Sequence, residues 1–195
     1  MKKEKQLWLL AGGNGAGKTT FYRMQLEPLG IPFVNADVLA QQLFPDHPEQ
    51  YSYEAAKIAE AMRLQLIQDG RTFCFETVFS HPSKIDFVAS AKALGYEIVL
   101  VFIHLELMQL NLARIAQRVS EGGHHVPDEK VKTRIPRVMK LIKQVLPLCD
   151  QTYILDNART DNPFQQIAVI RSGCLELRKH PVPGWCQELL SDYHL

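Results

Sequence analysis

A chain of 195 residues, 46% of them hydrophobic, reads as one domain with enough apolar material for a full core. Its 22 basic and 21 acidic side chains leave a net charge of +1, which argues against polyanionic nucleic acid or an anionic membrane surface as the main partner. No stretch reaches the roughly 18 apolar residues of a membrane helix, and Cys74, Cys149, Cys174 and Cys186 show neither C-x-x-C spacing nor a dense disulfide framework, so reduced thiols in a cytoplasm are expected.

Met1-Lys2-Lys3 precedes an apolar run, Leu7 to Ala11, that is too short for a signal peptide and reads as a buried strand. It runs straight into Gly12-Gly13-Asn14-Gly15-Ala16-Gly17-Lys18-Thr19-Thr20, which fits G-x-x-x-x-G-K-[ST]. In that pattern backbone N–H groups wrap a polyphosphate, the lysine reaches its terminal groups and the hydroxyl of Thr19 holds Mg²⁺. Side chains at Gly13, Gly15 or Gly17 would block close backbone approach or forbid positive φ. A helix is expected to start at Thr19 and to aim its positive end at the anion.

Pro32 to Asn35 is a short strand candidate, and Asn35-Ala36-Asp37 opens a helix toward Leu43. Asp37 suits two roles: the helix N-cap, or the carboxylate that takes a proton from an acceptor hydroxyl, placed beside the phosphate loop. From about 51 to 68, Ala55, Ile58, Ala59, Met62 and Leu66 keep helical spacing. The next strand, Thr72 to Phe75, delivers Glu76 and Thr77 to its carboxyl end, where Glu76 serves in an ion pair, beside Mg²⁺ or against the acceptor.

A helix over 81–94 leads to Glu97–His104, the most continuously apolar strand and hence a central parallel one. That strand lacks a terminal Asp for the metal, so Thr19 with Asp37 or Glu76 must serve. Arg114 and Arg118 share a face of the next helix, and Lys130, Arg134 and Arg137 share a face of the segment 128–146, in which Pro136 predicts a kink or break near Ile135. Such stripes suit a solvated surface. Flanking Gly122-Gly123 and His124-His125, they also suit a lid over about 106–146 that closes cations on phosphates. No Cys or carboxylate stands at zinc-site spacing from the histidines. A strand at 151–156 and a hairpin of 167–170 with 174–177 follow, and a short helix after Pro183 ends the domain, 167–195 forming its C-terminal part.

Strand–helix alternation predicts an α/β fold of the P-loop NTPase kind: a three-layer sandwich with a mainly parallel central sheet, a helical lid and ligand at the strand carboxyl ends. The leading functional expectation is a kinase using ATP or GTP with Mg²⁺ on a small-molecule hydroxyl. A nucleotide-hydrolysing switch or binding module and a kinase of nucleic-acid ends are the alternatives.

The phosphate loop, Asn35-Ala36-Asp37 and Phe75-Glu76-Thr77-Val78-Phe79-Ser80 together resemble the zeta toxin family of P-loop kinases. Leu112 to Val119 with Gly122 to Pro127 is similar to its short, single-domain bacterial members, and the resemblance spans about 6–157. It implies phosphorylation of the sugar of UDP-N-acetylglucosamine, and in some members an antitoxin partner. It also implies Lys18 and Thr19 on phosphate and Mg²⁺, Asp37 as base, and Glu76 with Thr77 on the acceptor. Arg114 or Arg118 would match the family's first lid arginine. Where the toxins place a second arginine before Thr-Pro, this chain has His124-His125-Val126-Pro127, so His124 or Arg134 and Arg137 would take its place.

Overall fold

The computed structural model describes residues 5–120 and 127–193, without the side chain of Arg118. Seven strands form one sheet in the order β2-β3-β1-β4-β5-β6-β7: β1 Gln6–Ala11, β2 Phe33–Val34, β3 Phe73–Thr77, β4 Glu97–His104, β5 Gln151–Asp156, β6 Gln165–Arg171 and β7 Cys174–Leu177. The first five are parallel, and β6 and β7 join antiparallel as the expected hairpin. β4 is the middle strand and is buried from Ile98 to His104, so its unbroken apolar run reports burial on both faces.

Alternation along the strands builds the layers. Leu9, Phe75, Leu100, Phe102 and Ile154 pack against Ala59 and Ile67 of α3 (Ser52–Gln68), Val88 of α4 (Ser83–Ala93), Ile142 of α6 (Asp128–Val145) and Trp185 of α7 (Gly184–Leu189). Leu10, Cys74, Val101, Ile103 and Leu155 turn the other way, onto Ala16, Tyr22 and Leu26. The latter belong to α1 (Lys18–Phe21) and its surroundings, where the expected α-helix continues as a π turn over Tyr22–Leu26. Tyr22 holds that turn in place by donating to the Ile31 carbonyl at 2.7 Å and stacking on Phe33 at 3.9 Å. The remaining helices are α2 (Ala36–Leu43) and α5 (Met108–Ser120).

Two expectations are corrected. The break considered near Ile135 is absent: α6 continues through Pro136, because Lys132, whose carbonyl loses its partner, and Pro136 are both exposed to water while Val131, Val138, Ile142 and Val145 anchor the other face. The buried stripe of α3 is Ala55, Ala59, Arg63 and Ile67, whereas Ile58 and Met62 are 36% and 37% exposed. β2 pairs with β3, and β3 with β1, so Asp37 and Glu76 follow adjoining strands and Glu76 is on the strand next to β1. All four cysteines are free, and Cys174 alone among them is exposed. Among the described residues no helix is long and apolar enough to cross a membrane.

His104 ends β4 in a buried aromatic nest, its ring 4.5 Å from Trp185 and 5.8 Å from Phe102. Burial pushes its pKa down to about 4 against the opposing pull of Asp156. An unfolded histidine ionises near 6.5, so below that pH the unfolded chain takes up a proton that the folded one refuses. The stability this gives is full above about pH 6.5 and is lost as pH falls, by roughly 3 kcal/mol at pH 4. Urea midpoints from pH 7 to 4.5 should fall more steeply in the wild type than in His104→Gln; parallel slopes would contradict this.

Candidate active site

The loop between β1 and α1 is shaped from outside by two asparagines. Gly15 and Gly17 take φ of 77° and 94°. A Cβ at Gly15 would lie 2.6 Å from the Asn111 carbonyl oxygen, and one at Gly17 would lie 2.5 Å from Asn157 Nδ2. Gly13 has neither constraint, since a Cβ there would make ordinary contact with Asn111 Oδ1 at 3.6 Å. Asn157 leaves the end of β5 and is the loop's clamp. Its Nδ2 donates to the Ala16 carbonyl at 2.9 Å, its Oδ1 accepts from Phe164 N at 3.2 Å, and its carbonyl accepts from Arg114 Nη2 at 2.8 Å.

Lys18 is 7% exposed and donates to the Gly13 carbonyl at 3.0 Å, with Glu76 Oε1 at 3.7 Å. The other Glu76 oxygen accepts from Thr19 Oγ1 at 2.8 Å. The β1–β3 register explains this: Leu10 pairs with Glu76, so the carboxylate emerges beside the loop that follows Ala11. A buried cation, its carboxylate and a hydroxyl therefore converge at one point, in an interior where charge interactions are strong.

Asp37 is exposed and lies in the first turn of α2. It is not the cap. Asn35 Oδ1 accepts from the N–H groups of Asp37 and Val38 at 2.8 and 3.2 Å, which leaves the Asp37 carboxylate available. Thr77 Oγ1 accepts from Phe79 N at 3.1 Å and so shapes the turn that Phe79 makes at φ 61°.

A cavity of about 780 Å³ opens at the carboxyl ends of β1, β2 and β3. Asn14, Lys18, Asp37, Glu76 and Thr77 line it, together with Lys130 and Arg134 from α6. Arg134 Nη1 reaches Asn14 Oδ1 at 3.3 Å, which places that helix's cations over the loop. Arg137 is exposed and outside this lining, and Arg114 is committed to the Asn157 carbonyl rather than to the cavity. Thr20 is exposed on α1, and His124 lies outside the described residues. Three cations that the sequence left unremarked, Lys57, Arg63 and Lys84, complete the cavity wall. A second cleft, of about 580 Å³, lies at the opposite, amino-terminal strand ends around Gln6, Ile31 and Thr72.

Among the described residues no three His, Cys, Asp or Glu side chains converge as a metal cage. The hydroxyl of Thr19 beside the Glu76 carboxylate does fit Mg²⁺ of the kind that takes most of its ligands from phosphate and water.

Comparison with known proteins agrees with this geometry. An uncharacterised protein of Haemophilus influenzae is 30% identical over 137 residues, covering 67% of this chain and 97% of that protein. The AvrRxo1-ORF1:AvrRxo1-ORF2 complex with sulphate ions superposes with a TM-score of 0.75 at 18% identity, over 92% of this chain, which spans 62% of that one. The same pair with ATP gives 0.71 at 18% identity, over 91% of this chain and 61% of that one. The PezAT toxin-antitoxin system of Streptococcus pneumoniae gives 0.63 at 18%, over 85% of this chain and 72% of that one. At such identities the likeness is one of fold alone. The family model described as AAA domain matches residues 7–141, and with the phosphate loop and parallel sheet in place the chain belongs to that family.

Proposed function

We propose that the protein is a phosphotransferase that moves the γ-phosphoryl group of ATP or GTP to a hydroxyl of a small acceptor. The observation that carries this reading is the single cavity shared by Lys18 of the phosphate loop and Asp37 of α2. Phosphoryl transfer needs positioning, cations around the moving group and an acceptor for the nucleophile's proton, and each has a candidate there. Lys18 binds the terminal phosphates once it leaves Glu76 and the Gly13 carbonyl, and Lys130 and Arg134 neutralise charge from above. Asp37 takes the hydroxyl proton. Thr19 and Glu76 would hold Mg²⁺, which when bound neutralises charge between the β- and γ-phosphates.

This moves Glu76 from the acceptor, where the zeta toxin resemblance puts it, to the metal side of the site. Arg114 acts through Asn157 on the loop. UDP-N-acetylglucosamine is the acceptor that the resemblance favours. The two-protein complexes among the structural neighbours make an antitoxin-like partner part of the same proposal, in a cytoplasmic setting.

Purified protein incubated with Mg-ATP and a panel of UDP-sugars, read by mass spectrometry, should yield one sugar carrying a single added phosphate. Phosphate release at the same rate with and without every acceptor, and no phosphorylated product, would instead identify a hydrolysing switch.

A further inference from the structure

Arg63 occupies a position on α3 where an apolar side chain would be expected, between Ala59 and Ile67 on the buried stripe. It is 6% exposed, yet its Nε has no hydrogen-bond partner. The guanidinium lies over the Phe75 ring at 4.1 Å and near Phe87 at 5.3 Å, and Lys84 of α4 places Nζ 5.5 Å from the same Phe75 ring. Both cations line the 780 Å³ cavity, as does Lys57, and Glu60, exposed on α3, is the carboxylate whose charge acts on both. Burial pushes both pKa values down, and for Lys84 the charge of Arg63 pushes further. Two cations gathered around one ring, desolvated and repelling each other, destabilise the free protein unless something completes them.

We propose that Arg63 and Lys84 form an anion subsite that binds a carboxylate or phosphate group of the acceptor, so that the substrate is an anionic alcohol. The proposal rests on the kinase reading of the same cavity and names its substrate class. The stacked guanidinium presents a fixed edge of N–H donors, which suits a flat or tetrahedral oxyanion, while the ammonium adds a movable point charge. Phe75 immediately precedes Glu76 in β3, so the strand that sets the metal side of the site also sets the depth at which the anion is held.

The test uses the whole protein saturated with Mg-AMP-PNP, so that the phosphate loop is filled, and titrates inorganic phosphate in one arm and acetate in another by calorimetry. At least one anion should bind, and Arg63→Gln and Lys84→Met should each weaken it by about tenfold or more. The arm that binds identifies phosphate or carboxylate as the recognised group. Lys84 is only partly buried, so its variant reports even if Arg63→Gln fails to fold. Absence of binding in both arms, or affinity unchanged in Lys84→Met, overturns the subsite and leaves Arg63 as a stacking residue. Failure of every alcohol to be phosphorylated, with anion binding still lost in the variants, would sink the kinase reading alone.

Discussion

Asp37→Asn is expected to lower acceptor phosphorylation by roughly 10²- to 10⁴-fold, the usual contribution of a positioned general base. The same variant should bind Mg-ATP within about twofold of the wild type, because the cradle is built from the β1–α1 loop, which Asp37 does not touch by any hydrogen bond or ion pair among the described residues. Stability separates this from a structural effect. Asn35, not Asp37, caps α2, and the Asp37 side chain is exposed, so the substitution removes only a favourable charge near a helix start. That is about 0.3–1 kcal/mol. Asn35→Ala supplies the opposite pattern: loss of the cap, about 1 kcal/mol, in a residue that holds the backbone of the base in place. Single-turnover rates with saturating nucleotide, measured beside urea midpoints, distinguish the two. Retention of transfer within about tenfold in Asp37→Asn would remove Asp37 from the chemistry.

The contrast between Asp37 and Arg63 marks where the sequence is legible. Period and length identify β1, β3, β4 and the β6–β7 hairpin, because a buried strand must be apolar and a hairpin must turn at Arg171-Ser172-Gly173. The phosphate loop is legible for the same reason: its backbone shape demands glycine at Gly15 and Gly17 whatever surrounds it. Strand order is another matter. A two-residue β2 carries no mark of its neighbour, and only the crossover through α3 places β3 between it and β1. Arg63 was invisible because charge in an amphipathic helix reads as exposure, and Ile58 and Met62 read as core while standing on the outer face of α3. Its signal lay in the i, i+4 row of Ala55, Ala59, Arg63 and Ile67, a row of small and apolar residues interrupted by one cation. Asn157 was legible as a residue at a strand's carboxyl end, but its grip on Ala16 depends on a contact 141 residues away in sequence.

Lys18→Met is expected to abolish phosphoryl transfer and also to destabilise the nucleotide-free protein, by roughly 3 kcal/mol. The first effect follows from loss of the only loop side chain whose charge reaches the cavity. The second follows from Glu76, whose side chain is 9% exposed and would lose its cation while keeping the hydrogen bond from the Thr19 hydroxyl. Replacing both partners tests the origin of that cost. Lys18→Met with Glu76→Gln should return the urea midpoint to near the wild-type value, since no buried charge remains uncompensated, while activity stays absent. A buried ion pair that can be exchanged for neutral side chains without loss of stability is there for what it does when opened. On this account the pair keeps Lys18 aimed until phosphate replaces Glu76 as its partner, and frees the carboxylate for the metal at the same moment. Equal destabilisation in the single and double variants would show instead that the pair holds the loop together and that the exchange does not occur.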